Sequence, residues 1–261
     1  MRKKDKVREI VRQLNIIDDI FFQKMAEDIG FCEEVISTIM EQNVIVKSVT
    51  PQNSIKNLQG RSVILDVLCE LENGKECNVE VQKSDNDNHV ARVRYNISCI
   101  TANIMEPGMK YEKVPDVVGI YISNFDMFHR NKTVYHIGRI IRETEEMQDN
   151  GVQEIYVNTK IDDGTDVAEL MRIFKEPNTY NFEKFPRVSA RKKQFKESEG
   201  GSENMCDLVE NYARECAEEA TRQNALKLFE NGVSYEIVRA SITLLSDEEI
   251  MELYKQVYPE G

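Results

Sequence analysis

The sequence predicts an α/β fold in which helices flank buried strands, followed by a helical C-terminal segment. Short apolar runs of strand length alternate with amphipathic stretches through the first two thirds of the 261 residues. The strongest local signal is Asn73-Gly74, a turn dipeptide between two apolar runs, which predicts a β-hairpin. Beyond residue 202 the apolar residues recur at helical spacing instead.

The chain is predicted to open with helices. Residues 7–29 have helical periodicity with a break near Asn15, and Gly30 is expected to end the second piece. Residues 31–42 form the next amphipathic helix. Its inward face is expected to consist of Phe31, Val35, Ile36 and Ile39.

Six strands and one further helix are predicted next. The strands are 44–49, 63–69, 77–82, 116–123, 135–141 and 153–158. The helix, 88–104, lies between the third and fourth strands. Its apolar stripe is Val90, Val93, Ile97, Ile100 and Ile104, which leaves Arg92, Tyr95, Asn96 and Cys99 off the stripe.

The C-terminal segment is predicted to be a separate helical unit. Residues 197–202 are polar and rich in Gly and Ser, which favours a linker and gives two domains, 1–199 and 200–261. Gly232 is expected to cap one helix, and Ser234 and Ser246 to begin two more. The last helix is acidic, so an interaction or dimerisation role is favoured over DNA reading.

Composition limits the classes of function. No apolar run approaches 18 residues, so no membrane span is predicted. The basic N-terminus lacks an apolar signal segment, and the six cysteines and three histidines show no zinc spacing. A cytoplasmic location with reduced thiols is therefore expected. The net charge of −12 argues against a surface that attracts DNA everywhere.

Basic residues are nevertheless clustered in two places. Residues 1–12 carry six Lys or Arg against two acids. The second cluster is Arg187, Arg191, Lys192, Lys193 and Lys196. Either cluster could hold a phosphate backbone, with modest and salt-dependent affinity.

The most informative residues are Asp66, Glu80 and Gln82, which interrupt the two apolar runs of the predicted hairpin. Burying a carboxylate costs several kcal/mol unless a cation or hydrogen bonds compensate it. Two such acids followed by a polar group are typical of a divalent-metal phosphodiesterase site. Mg²⁺ or Mn²⁺ is the expected cation, since both prefer oxygen ligands.

The turn length decides whether the two acids meet. A two-residue turn at Asn73-Gly74 sets Asp66 opposite Val81 and sends Glu80 to the other face. A three-residue loop, with Gly74 in the left-handed conformation, sets Asp66 opposite Glu80. We favour the three-residue loop, because a bound cation would offset the repulsion between the two carboxylates.

Asp66, thirteen intervening residues and then Glu80-Val81-Gln82 resembles the Asp…Glu-x-Lys signature of the PD-(D/E)xK nuclease superfamily, with glutamine in the lysine position. Five blocks in order resemble the recombination-promoting nucleases and transposases of that superfamily. They are Phe31–Val35, Asn57–Ser62, Asn78–Lys83, Ala91–Tyr95 and Asn103–Gly108. The resemblance runs from about Phe21 to about Met205 and covers most of the chain.

The resemblance implies a mixed sheet flanked by helices and Mg²⁺-dependent cleavage of DNA that leaves 5′-phosphate and 3′-hydroxyl ends. It implies that Asp66 and Glu80 are metal ligands, with the Val81 carbonyl as a further ligand, and that Gln82 positions the attacking water. Because glutamine carries no charge, more of the electrostatic stabilisation would fall on the metal. A catalytically weak or inactive DNA-binding or protein-interaction module is the alternative.

Three further residues are candidates, Glu34 by analogy with the superfamily, and Arg92 and Arg94 because their helix begins just after Gln82. Glu34 is the candidate for an extra acid from the first core helix, and an ordinary solvated helix acid is its alternative role. Arg92 or Arg94 is expected to contact a phosphate, and an ion pair with Asp85 or Asp87 is the competing role. A homodimer is expected, since cutting both strands of a duplex needs two sites or sequential action.

Overall fold

The computed structural model describes residues 9–56 and 61–258. Most of the basic N-terminal cluster, 1–8, and part of one sequence block, 57–60, lie outside the described residues. The contacts divide the described chain into two compact units, residues 9–202 and 203–258. Among the described residues, no helix combines the length and the apolar character that crossing a membrane requires.

The first unit is built on a mixed six-stranded sheet in the order β1-β2-β3-β4-β8-β5. Its strands are β1 (Val46–Ile55), β2 (Val63–Leu71), β3 (Glu76–Gln82), β4 (Val117–Ser123), β5 (Val134–Ile137) and β8 (Val152–Asn158). β3, β4 and β8 are parallel, while β1, β2 and the edge strand β5 are antiparallel to their neighbours. A separate two-stranded sheet joins β6 (Arg139–Ile141) and β7 (Glu146–Gln148).

Helices cover this sheet, so the predicted α/β class is confirmed. They are α1 (residues 9–13), α2 (Asp19–Ala26), α3 (Ile29–Ile39), α4 (His89–Ile104), α5 (Asp166–Lys175) and α6 (Pro186–Glu197), with a short 3₁₀ turn at Tyr111–Lys113. The parallel strands need the long crossover that α4 provides between β3 and β4. β4 is buried along its whole length, as expected for a central parallel strand.

Two boundaries predicted for the N-terminal helices were wrong. Gly30 does not end a helix but lies in the first turn of α3. The reason is Asp28, whose side chain accepts a hydrogen bond of 2.8 Å from the Phe31 N–H and caps the helix. The chain therefore restarts a helix within two residues of the end of α2.

The hairpin has the register that the three-residue loop predicts. The pairs run from Glu70↔Glu76 to Val67↔Val79, so the next pair in register is Asp66 with Glu80. Gly74 has a φ of +80°, and its N–H donates to the Leu71 carbonyl at 3.0 Å. Because glycine alone adopts this conformation without strain, the Asn-Gly dipeptide fixes which residues face each other.

Two residues of the second basic cluster, Arg191 and Lys192, serve packing rather than a free surface for phosphate. Arg191 donates to the carbonyls of Lys24 and Met25 at 2.7 Å each, at the end of α2. Lys192 is fully buried and donates to the carbonyls of Ile173, Glu176 and Thr179 at the end of α5. These cations satisfy helix C-terminal carbonyls that would otherwise lack a donor. The expectation of a phosphate-binding surface is corrected for these two residues and stays a prediction for Arg187, Lys193 and Lys196.

The predicted linker at 197–202 is also corrected, because α7 (Glu199–Glu230) already includes residues 199–202. Ser198 ends α6, and its hydroxyl accepts from the Gly201 N–H at 3.1 Å. A Cβ at Gly201 would lie 2.2 Å from the Gln194 carbonyl oxygen. Glycine is used here for close backbone approach rather than for a flexible connection.

The second unit is helical, as predicted. α7 is followed by α8 (Tyr235–Ser241) and α9 (Asp247–Val257). Its core consists of Ala225, Phe229, Val238, Leu245, Ile250 and Leu253. Ser246 and Glu249 form the capping box predicted for α9, and Gly232, with a φ of +79°, follows α7.

Candidate active site

The hairpin brings Asp66 and Glu80 together inside the sheet. Asp66 is 7% exposed and Glu80 is 1% exposed. The Asp66 N–H points at Glu80 Oε1 at 3.4 Å, and the Val81 N–H donates to Asp66 Oδ2 at 2.9 Å. Backbone N–H groups of the paired strands thus contact both carboxylates where Asp66 and Glu80 face each other, as the register predicts.

Arg92 connects Glu80 with Gln82. Its guanidinium pairs with Glu80 Oε2 at 3.3 Å and donates to Gln82 Oε1 at 3.1 Å. The amide nitrogen of Gln82 donates to the Ser84 carbonyl at 2.9 Å, while Asn78 donates to Glu80 Oε1 at 3.0 Å. Glu80 and Gln82 therefore lie on one face of β3, and both contact the guanidinium of Arg92.

Asp66, Gln82 and Arg92 line a cavity of about 210 Å³, and Glu80 is buried behind its wall, paired with Arg92. Its walls comprise Ile17, Asp19, Asp66, Val81, Gln82, Lys83, Ser84 and Arg92. Asp19 is the first residue of α2, and its negative charge raises the pKa of both Asp66 and Glu80. The acid that a helix contributes to this cavity is therefore Asp19, which sequence reasoning missed.

Glu34 lies elsewhere. Its carboxylate accepts from the backbone N–H groups of Arg187 and Val188, at 3.3 and 2.7 Å. These are the first residues of α6, whose own N-cap residue, Phe185, offers no side-chain acceptor. Glu34 does not line the cavity of Asp66 but caps the N-terminus of α6, where a negative charge is stabilising. The expectation that Glu34 supplies the extra acid is not supported by this placement.

The two arginine candidates are separated. Arg94 lines a different cavity, together with Ile97, Thr101 and Arg139. Arg92 lies in the acid cavity, but its ion-pair partner is Glu80 rather than Asp85 or Asp87. Asp85 pairs with His89 instead, at 3.2 Å. Since residues 92 and 94 point to different sides of a helix, only one of them can serve this site.

A buried histidine anchors the start of α4 beside the cavity. His89 is 4% exposed, and its Nδ1 lies 2.8 Å from the Tyr121 hydroxyl on β4. Tyr121 is the neighbour of Glu80 in the parallel register. Asn96 and Cys99 are buried although they were predicted to lie off the apolar stripe, while Val90 of the stripe is 43% exposed. The buried face of the helix thus includes polar residues, and for His89 the sheet offers a hydrogen-bond partner in Tyr121.

The electrostatics of the acid pair fit a cation. Burial raises the pKa of Asp66 well above its usual range, and the neighbouring Glu80 charge raises it further. Burial also raises the pKa of Glu80, although Arg92 and the Asn78 amide oppose this shift. Among the described residues, no three acid, His or Cys side chains are preassembled as a metal cage. The donors are nevertheless carboxylate oxygens, which suit Mg²⁺ or Mn²⁺ with water and substrate completing the shell.

Comparison with known proteins identifies the family of the chain. Residues 28–162 match the family model described as PD-(D/E)XK nuclease family transposase, and the matched segment includes Asp66, Glu80, Gln82 and Arg92. No curated protein and no solved structure matched the chain significantly. The matched segment spans just over half of the 261 residues. The chain therefore belongs to the PD-(D/E)XK nuclease family transposases, which confirms the resemblance inferred from its sequence blocks.

Proposed function

We propose that the protein is a DNA endonuclease that depends on Mg²⁺ or Mn²⁺. The observation that carries the proposal is the buried pair of Asp66 and Glu80. Asp66 lines one cavity with Asp19, Gln82 and Arg92, and Glu80 pairs with that Arg92. Burial raises the pKa of both acids, and Arg92 is the cation that opposes this shift in each. The protein itself therefore balances the negative charge of the two carboxylates poorly. Such an arrangement is favoured when a divalent cation and a phosphate complete the charge balance.

The residues divide the chemistry between them. Asp66 and Glu80, with Asp19 and the Val81 carbonyl, would hold the cation. When bound, it supplies Lewis acidity, which activates a water and neutralises charge on the phosphate. Gln82 would orient the attacking water through hydrogen bonds. Arg92 would contact the phosphate and supply the positive charge that glutamine lacks in the lysine position.

The reaction is an in-line displacement at phosphorus. A bond forms between the water oxygen and phosphorus, and the bond from phosphorus to the 3′ oxygen breaks. The leaving oxygen takes up a proton, so the products are a 3′-hydroxyl end and a 5′-phosphate end. We propose DNA as the substrate because the family is one of nucleases and transposases.

Plasmid cleavage tests this proposal. Purified protein with Mg²⁺ or Mn²⁺ is expected to convert supercoiled plasmid to nicked and linear forms, and EDTA is expected to prevent the conversion. The new ends should be sealed by a DNA ligase that needs 5′-phosphate and 3′-hydroxyl termini. Plasmid that is bound but remains intact with both metals would favour a catalytically inactive binding module instead.

Replacing Gln82 with lysine is expected to preserve cleavage and to raise its rate. Lysine restores a positive charge next to the scissile phosphate, where a preorganised charge stabilises the transition state. The expected gain is modest, up to about tenfold, because Arg92 already lies within 3.1 Å of this side chain. Gln82→Met, which has similar size and no hydrogen-bonding amide, is the control and is expected to be slower than wild type. A loss of cleavage in Gln82→Lys would show that the amide, not charge, is needed at this position.

We further propose that residues 200–261 act in assembly, as a helical appendage distinct from a nuclease domain at 1–199. Large apolar side chains are exposed on this unit, among them Ile237 at 60% and Leu244 at 53%. The protein is expected to form a homodimer by light scattering, at twice the monomer mass. Ile237→Glu with Leu244→Glu is expected to return it to the monomer mass. A monomeric wild-type protein would contradict this role.

A further inference from the structure

A second and larger cavity adjoins the acid site. It has a volume of about 640 Å³ and lies between the first turns of α4 and the start of β2. Arg61, Ile64, Arg92, Tyr95 and Asn96 are among its walls. Arg92 also lines the acid cavity, so the two cavities meet at this guanidinium. A volume of this size is within the range of sites that hold small organic groups.

The walls offer both an apolar platform and hydrogen-bonding groups. Tyr95 is 36% exposed, and its hydroxyl donates to the Arg61 carbonyl at 2.6 Å, which fixes the ring. Ile64 is 59% exposed on the opposite wall. Asn96 is 3% exposed, and its side-chain amide makes no hydrogen bond to another described residue. A fixed ring can stack on a base, and an amide that bonds to no other described residue can read the edge of that base.

The charge of the protein favours stacking on a base over contacts with many backbone phosphates. The net charge is −12, and Asp87 also lies on the wall of this cavity. Within the part of the chain that the structure describes, Arg191 and Lys192 of the α6 cluster are used for packing and do not neutralise a duplex backbone. Stacking of a base on an aromatic ring gains affinity without adding positive charge. A base within a duplex must first unstack and unpair, which costs roughly a few kcal/mol, so an unpaired base enters more readily.

We infer that this cavity receives an unpaired base adjacent to the phosphate that is cut. The inference rests on the proposed nuclease function and narrows its substrate to DNA that is unpaired at the cleavage point. Arg92 would contact the phosphate next to the stacked base, since it reaches both cavities. The protein then recognises a local interruption of the duplex rather than a long paired sequence.

Binding of three fluorescein-labelled DNAs tests the inference. They are a fully paired duplex, the same duplex with one central unpaired nucleotide, and the single strand alone. Affinities are measured by fluorescence anisotropy with EDTA present, so that no strand is cut. Wild-type protein is expected to bind the DNAs that contain unpaired bases about tenfold more tightly than the paired duplex.

Variants of Tyr95 test whether the preference for unpaired bases arises in this cavity. Tyr95→Leu is expected to lose most of the preference, since leucine fills space but offers no ring. Tyr95→Phe is expected to keep it. Tyr111→Leu is the matched control, because Tyr111 is an 89% exposed tyrosine that lines a different cavity. Thermal unfolding of each variant confirms that it is folded.

Two results would overturn the inference. One is equal affinity of the wild-type protein for paired and interrupted duplexes. The other is an unchanged preference in folded Tyr95→Leu. If plasmid cleavage that needs Asp66 accompanies either result, the cavity inference fails and the nuclease proposal stands. If the preference depends on Tyr95 while no metal supports cleavage, the cavity inference stands and the nuclease proposal fails.

Discussion

Asp66→Asn is expected to abolish metal-dependent DNA cleavage and, at the same time, to stabilise the metal-free protein. The loss of activity should be on the order of 10³-fold or more, because the variant removes a charged ligand from the cation site. The gain in stability arises because a buried negative charge beside Glu80 disappears. Asparagine can still accept the hydrogen bond that the Val81 N–H donates to Asp66.

The stability gain should depend on pH in a defined direction. The pKa of Asp66 is raised in the folded state above its ordinary value of 3.8, so the folded protein binds more protons than the unfolded chain between these pKa values. The free energy of unfolding of the wild type therefore falls as pH rises through that window. The difference between Asp66→Asn and wild type should grow over the same range. Near neutral pH we expect the variant to melt higher by roughly 2–4 °C, the shift that about 1 kcal/mol produces in a chain of this size.

Thermal melts with EDTA from pH 4 to pH 8, followed by melts with Mg²⁺, measure this effect. Added Mg²⁺ should stabilise the wild type and not the variant. Glu76→Gln is the matched control, since Glu76 faces Glu70 across the same hairpin and burial raises its pKa as well. This control should keep full cleavage activity. Cleavage by highly purified Asp66→Asn at the wild-type rate would reject the assignment of the site.

Asp19→Asn is expected to reduce cleavage by about 10- to 100-fold. Asp19 lies on the wall of the acid cavity with Asp66, and its charge raises the pKa of Asp66 and Glu80. The three carboxylates therefore lie close enough to interact electrostatically. Asparagine keeps the size of the side chain and removes the charge that would attract a cation. Cleavage rates measured against Mg²⁺ concentration should show weaker apparent metal affinity in the variant.

Glu34→Gln is the comparison that separates the two helix acids. It is expected to retain wild-type cleavage and to lose about 1 kcal/mol of stability, because the Glu34 carboxylate caps the N-terminal N–H groups of α6. The reverse result would restore Glu34 as the acid of the site. In that case Glu34→Gln would lose cleavage while Asp19→Asn kept it.

Only part of the site is determined by residues that are close together in the sequence. The register of Asp66 and Glu80 follows from one turn, because Gly74 accepts a positive φ and a strand alternates its side chains. The choice between Asp19 and Glu34 depends on how two short helices pack on the sheet, and periodicity carries no information about that packing. Asp18-Asp19, directly after the predicted helix break, is the only local signal for it.

The contacts of the charged residues of α6 also could not be predicted from the sequence. Their spacing on the chain is that of a basic patch, yet Arg191 and Lys192 are directed at the C-terminal carbonyls of α2 and α5. Those carbonyls lie more than a dozen residues away, so no sequence window contains both partners. His89 and Asn96 were missed for a similar reason, since their burial depends on contacts with other elements.

The position of Arg92 has a thermodynamic consequence. One guanidinium is bound to Glu80 and Gln82 in the protein without ligands, so it is not free to contact a phosphate at the same time. A cation that takes over Glu80 would release Arg92 to the DNA, and DNA that draws Arg92 away would leave Glu80 to the cation. Each ligand would then increase the affinity for the other by the same factor, because linkage between two binding equilibria is reciprocal. The protein would therefore bind DNA more tightly when the metal is also bound.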